Sequence, residues 1–202
     1  NGQLIRRSVL EESGGFNEDT VTDDLDLSFR LLTHGALVGM LWDPPAQEEA
    51  APGLKALWKQ RQRWAEGGLQ RFFDYWPTLT SAQLTLRQRW DLACFFLLQY
   101  CLPVLSFADL STSVISRTVP TYWPLSFVAF GVSGLAYWRG CRGRNEGPLI
   151  PRPGVWHLLV AMVYLSHWFV VIPWVTLRMA LLPKRLVWAK TSHGGEQVTA
   201  GA

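Results

Sequence analysis

The sequence of 202 residues is short of several things that would direct a reading elsewhere. It has three cysteines. Cys94 and Cys101 stand seven apart, about 10 Å along a helix and too far to bridge, and Cys141 sits in a basic stretch. A disulfide framework is excluded, and nothing calls for an oxidising compartment. No Cys/His spacing marks a metal site, and no glycine loop is built to cradle phosphate. Acids are scarce after residue 76: four against eleven bases, a balance of +7, whereas residues 1–76 hold twelve acids against eight bases, or −4. An acidic front argues against nucleic acid as a partner. The chain opens on Asn1-Gly2, with neither Met nor a signal peptide, and is expected to be the C-terminal part of a longer protein.

What the chain does have is apolar surface: 49% hydrophobic residues and eleven tryptophans. Three apolar segments follow the polar first part: Leu92 to Ile115, Tyr122 to Trp138, and Val155 to Leu182 with Pro173 inside it. Each approaches or exceeds the ~20 residues that cross a bilayer. Trp90, Trp123, Trp138, Trp156 and Trp188 mark their ends, as interfacial aromatic belts do. A buried helical core is the competing reading, but so much apolar length is hard to cover in a chain of this size. Arg139, Arg142, Arg144 and Arg152 lie between the second and third segments, against Arg117 alone between the first and second. The positive-inside rule puts the former linker in the cytosol, and the tail with Lys184, Arg185 and Lys190 there as well. A single crossing by the third segment conflicts with that. Either it turns back near Pro173 or one segment lies in the interface.

Before these segments, Asp24 to Leu32 has a helical period through Leu25, Phe29 and Leu32, with Thr22 or Asp23 as N-cap and His34-Gly35 as its end. Ala36 to Trp42 reads as a short strand closed by Asp43-Pro44-Pro45. A longer helix runs from Leu54 to Trp76, stopped by Pro77, with Ala65, Leu69, Phe72, Phe73 and Trp76 on an apolar stripe and the basic residues off it.

Two stretches carry chemistry. Thr22-Asp23-Asp24 places carboxylates at a helix start, where one can act as a general base toward a hydroxyl or simply complement the helix dipole. Gln60, Arg63 and Trp64 share one face of the long helix, offering an amide, a guanidinium fork and an aromatic plane. Such a face suits a sugar and a phosphate; an amphipathic helix with snorkelling arginines has the same pattern. His157, His167 and Asp109 stand in apolar surroundings, where ionisable groups are functional candidates, although a histidine bonded to a neighbouring helix is the plainer account.

Thr22-Asp23-Asp24, then Gln60-x-x-Arg63-Trp64, then apolar helices, resembles the membrane-embedded family 2 glycosyltransferases, with Asp23 where that family usually has Glu. Arg63-Trp64-Ala65-Glu66-Gly67-Gly68, Gln99-Tyr100, Leu102-Pro103, His167-Trp168 and the tail from Pro183 are similar to the lipid-glucosylating branch of that family, the beta-monoglucosyldiacylglycerol synthases. Gln47 departs from it, standing where His is expected. The resemblance implies an α/β fold plus membrane helices: the C-terminal part of a GT-A type domain (1–53), an amphipathic interfacial helix with a linker (54–89), about three transmembrane or interfacial helices (90–182) and a basic tail (183–202). It implies transfer of glucose from UDP-glucose to diacylglycerol with inversion, in an integral membrane protein whose catalytic part is cytosolic. By resemblance Asp24 is the base, and Asp23, Gln60, Arg63 and Trp64 bind substrate. Magnesium is implied as cofactor, held mainly by residues upstream of Asn1, so the chain alone is not expected to be active. The alternative is a processive polysaccharide synthase of the same family.

Overall fold

A computed structural model of the chain describes residues 2–17, 19–37, 39, 46, 50–81, 84–143 and 154–184. Those residues form helices and no strand. The strand expected over Ala36 to Trp42, and Gln47 with the Glu48-Glu49 pair, fall largely outside the described residues. The helices are α1 Arg7–Glu12, α2 Asp23–Thr33, α3 Leu54–Asp74, α4 Trp76–Leu79, α5 Leu86–Phe96, α6 Leu102–Ser116, α7 Tyr122–Gly143, α8 Val155–Leu165 and α9 Trp168–Leu181, with a π-helical turn Leu97–Cys101 between α5 and α6. They divide into two compact units. One holds α1 to α4 and the chain from Leu177; the other runs from Asp91 to Thr176.

In the first unit α2 ends as its sequence indicates, with Gly35 at φ 76° in the left-handed region that glycine adopts at no steric cost. Its inner face buries Leu27, Phe29 and Leu31. Phe29 packs edge-to-face on Phe72 of α3, centroids 5.1 Å apart, and stacks on Tyr75 at 5.7 Å. Each such fully buried side chain contributes roughly 1.5–3 kcal/mol.

Helix α3 departs from the expected simple stripe. Every residue from Ala65 to Phe72 is buried, Glu66, Gln70 and Arg71 among them, while Phe73 and Trp76 are exposed. Charge enters the interior because each group has a partner there, which is the condition for burying it. Pro77 does not simply stop the helix: α3 closes at Tyr75, and Pro77 occupies the first turn of α4, where its missing N–H is no loss.

Among the described residues two stretches are long and apolar enough to cross a membrane, Leu86–Ser116 and Val155–Leu181. Helix α7, expected as a third, is not one of them, since Gly, Ser, Pro and terminal aromatics dilute its apolar residues. Pro103 accounts for the π-helical turn. It has no N–H to give, and its ring would strike the carbonyl of Gln99 in a regular helix, so the turn widens and Leu102 N–H reaches Leu97 O. Pro173 sits inside α9 without ending it, and the interruption falls instead at Ser166-His167. There Phe169 N–H bonds to Ser166 O at 3.0 Å and Val170 N–H to His167 O at 3.1 Å, a tightened i to i−3 turn. Asp109 accepts from the N–H groups of Tyr122 (2.7 Å) and Trp123 (3.1 Å), and so caps α7. His157 accepts from Gly154 N–H, and His167 bonds to Tyr164 O. The three apolar-segment candidates thus have local structural partners.

Candidate active site

The candidate site is where the start of α2 meets the middle of α3. Thr22, the N-cap of α2, is buried but makes no cap hydrogen bond through its side chain. Its methyl and hydroxyl press on Gly67, where a Cβ would overlap both. Only glycine lets the two helices approach this closely. One turn before Gly67, Arg63 Nη1 donates to Val21 O at 3.3 Å. The contact fixes the guanidinium beside the adjacent carboxylates. Burial pulls the Arg63 guanidinium below its ordinary value, and the charges of Asp24 and then Asp23 oppose that.

The structure therefore brings together Asp23, Asp24 and Arg63. Asp24 is half buried, with Oδ1 accepting Leu25 N–H at 2.8 Å, and Asp23 is exposed. Trp64 is 38% exposed, and the Arg61 guanidinium lies over its ring at 4.2 Å, a cation–π contact. Gln60 is half buried, one turn before Trp64. The arrangement offers a carboxylate, a cation beside it, and a partly exposed aromatic plane.

The sequence reading missed a third acid. Asp26 is wholly buried. Its Oδ2 pairs with Arg30 Nε at 3.0 Å, and its Oδ1 takes Arg71 Nη1 at 2.5 Å and Tyr75 O–H at 3.1 Å. Arg71 also reaches Asp74 at 2.7 Å, and Lys184 reaches the same carboxylate at 2.9 Å. Tyr75 is pushed up to about 12, first by burial and then by the charge and hydrogen bond of Asp26. With its oxygens engaged by two guanidiniums and a phenol, Asp26 is a structural anion. Asp26 and Arg30 are visible in the sequence as an i, i+4 pair, but that spacing does not reveal burial. Glu66, also missed, binds Arg178 Nη1 at 2.7 Å and takes a long bond of 3.4 Å from Gln70.

Among the described residues no three His, Cys, Asp or Glu side chains gather to hold a metal ion. Asp23 and Asp24 do not supply a magnesium shell by themselves.

The family model described as glycosyl transferase family group 2 matches residues 1–189. The chain belongs to this family. Among its relatives, the beta-monoglucosyldiacylglycerol synthase of Synechocystis sp. is 41% identical over 96% of this chain and 42% of its own length. The protein of the same name from Trichormus variabilis is 40% identical over the same shares. A poly-beta-1,6-N-acetyl-D-glucosamine synthase of Staphylococcus epidermidis is 33% identical over 41% of this chain and 20% of its own. This family 2 chain thus spans less than half the length of the curated relatives it matches. No solved structure matches it. Both Thr22-Asp23-Asp24 and Gln60-x-x-Arg63-Trp64 lie within the residues that the family model covers.

Proposed function

We propose that the protein transfers glucose from UDP-glucose to 1,2-diacylglycerol, inverting the anomeric carbon, with this chain supplying the base and the acceptor side. The observation that carries the reading is identity of 41% sustained over 96% of the chain with a glycolipid synthase. The meeting of Asp24 with Arg63 supports it.

A lipid hydroxyl is a poor nucleophile at neutral pH. Asp24 takes its proton as the oxygen attacks the anomeric carbon and UDP departs. Such general-base help contributes roughly 10²–10⁴ in rate. Arg63 offsets charge developing on the leaving diphosphate, Trp64 stacks on the sugar or the glycerol, and Asp23 and Gln60 hold substrate hydroxyls. The magnesium that the resemblance implies finds no shell among the described residues, and no step here runs through it.

The first half of α3, with exposed Leu54 and Trp58 beside Lys55 and Lys59, is the part suited to lie in a lipid headgroup layer. That puts the site at the depth of a diacylglycerol hydroxyl, on the cytosolic side of an integral membrane protein. Residues 1–53 then close a GT-A type domain.

The test is the protein at its native length, in detergent, with labelled UDP-glucose and diacylglycerol. Chloroform-soluble label is expected. Label held in a water-soluble polymer overturns the lipid acceptor and favours a polysaccharide synthase.

A further inference from the structure

The second unit holds a cavity that the reaction above leaves unused. It has a volume of about 720 Å³, opens to the surroundings, and lies between the π-helical turn with α6, α7, and the junction of α8 with α9. Sites for small organic ligands run from about 300 to 1,000 Å³. Its wall is apolar, with Leu98, Leu102, Leu125, Ala129 and Phe169 prominent, and none of its lining side chains carries a charge. A phosphate headgroup finds no counter-charge in it; a hydrocarbon chain finds what it needs.

The wall is not wholly apolar. Gln99 lines the cavity from within the π-helical turn, and its side-chain amide has no hydrogen-bond partner among the described residues. The serine hydroxyls in the same wall are engaged. Ser126 shares a 2.7 Å bond with Ser106, and Ser133 donates to Ala129 O at 2.9 Å. The amide is half-exposed among apolar side chains, where a ligand that brings it a polar partner is favoured. Widened turns of this kind occur disproportionately where a helix serves a ligand.

We propose that the cavity holds one acyl chain of a neutral glycerolipid, with the Gln99 amide donating to that chain's ester carbonyl. Resting on the function proposed above, that glycerolipid is a diacylglycerol, held within this unit. An acyl ester supplies both the hydrocarbon for the wall and the single acceptor that Gln99 requires.

The experiment uses the native-length protein in phosphatidylcholine nanodiscs with a diacylglycerol carrying a diazirine in one acyl chain. After irradiation, labelled peptides are mapped by mass spectrometry. Label is expected on the segments 95–105, 122–133 and 165–169. Excess 1,2-dioleoylglycerol should displace it, and added phosphatidylcholine should not. Ala129→Trp, which sets an indole into the cavity, should sharply reduce the displaceable label. Gln99→Leu should raise the dioleoylglycerol concentration that halves the label about fivefold, the worth of one neutral hydrogen bond. Label that dioleoylglycerol does not displace, or that Ala129→Trp leaves in place, means bulk lipid only and overturns the proposal. So does displacement by dioleoylglycerol that Gln99→Leu leaves unaltered. If no glucose reaches diacylglycerol yet displaceable label persists, the neutral-lipid site stands and the proposed reaction falls.

Discussion

Arg178 Nη1 donates to Glu66 Oε1 at 2.7 Å, tying the end of α9 to the helix that carries Gln60, Arg63 and Trp64 across 112 residues of sequence. Glu66 is 1% exposed and Arg178 12%. Removing one partner of such a pair leaves a buried charge uncompensated, at a cost of about 3–5 kcal/mol. Arg178→Met is therefore expected to lower the thermal midpoint markedly. The double variant Glu66→Leu with Arg178→Met should recover most of the loss, because no lone charge remains. Unfolding of the detergent-solubilised protein, followed by tryptophan fluorescence, measures both. A double variant as unstable as the single would remove this account of the pair.

Gly67 predicts a different kind of sensitivity. A methyl there overlaps the Thr22 side chain, and overpacking of this sort costs roughly 1–3 kcal/mol. Thr22 immediately precedes Asp23 and Asp24, so relief of the overlap moves the carboxylates away from Arg63. A displacement near 1 Å can cost about 10²-fold in rate. Gly67→Ala should thus lose far more turnover than stability, and adding Thr22→Gly should restore much of the turnover. Activity and melting, measured on the same preparations, separate this from general misfolding.

How much of this was legible beforehand depended on distance along the chain. The ends of α2 were readable, since helical period, N-cap and Gly35 are local signals. The two motifs were readable as a pair, and their order carried the family. The interior of α3 was not. An apolar stripe sorts residues by their own polarity, so it excluded Glu66 and Arg71 and included Phe73 and Trp76. What buries Glu66 and Arg71 is Arg178 and Asp26, 112 and 45 residues away. Pro173 was a visible break signal, yet α9 runs through it and the chain tightens at Ser166-His167 instead. Proline weakens a helix by a fixed local amount, and the packing of Phe169, Val171, Ile172 and Val175 into the unit outweighs it.

Tyr75 gives the stability a dependence on alkaline pH. Its phenol is raised from the ordinary value of 10 to about 12 by burial and by Asp26. Between those values the folded chain keeps a proton that the unfolded chain releases, so the native state binds more protons and stability falls as pH rises. The contribution is complete below pH 10 and is lost through about 12. Tyr75→Phe removes the proton, so the variant should melt less steeply with pH over this window than the parent. Parallel slopes in the two proteins would count against the assignment.

Asp24 and Asp26 are two residues apart on one helix, and their surroundings give them opposite tasks. Asp26 is sealed in, held by Arg30, Arg71 and Tyr75. Neutralising it should act on folding: Asp26→Asn takes an anion from buried Arg71 and half-buried Arg30, and a loss of about 3 kcal/mol is expected. Asp24 is half exposed and lies within electrostatic reach of Arg63. Asp24→Asn keeps the shape and removes the base, so turnover should fall by roughly 10²–10⁴ while the melting midpoint and UDP binding hardly move. The same two variants, each measured for turnover and for melting, yield a crossed pattern if the roles are as described. Should Asp24→Asn keep its turnover, the base lies elsewhere, and Asp23, the exposed neighbour at the helix start, becomes the next residue to neutralise.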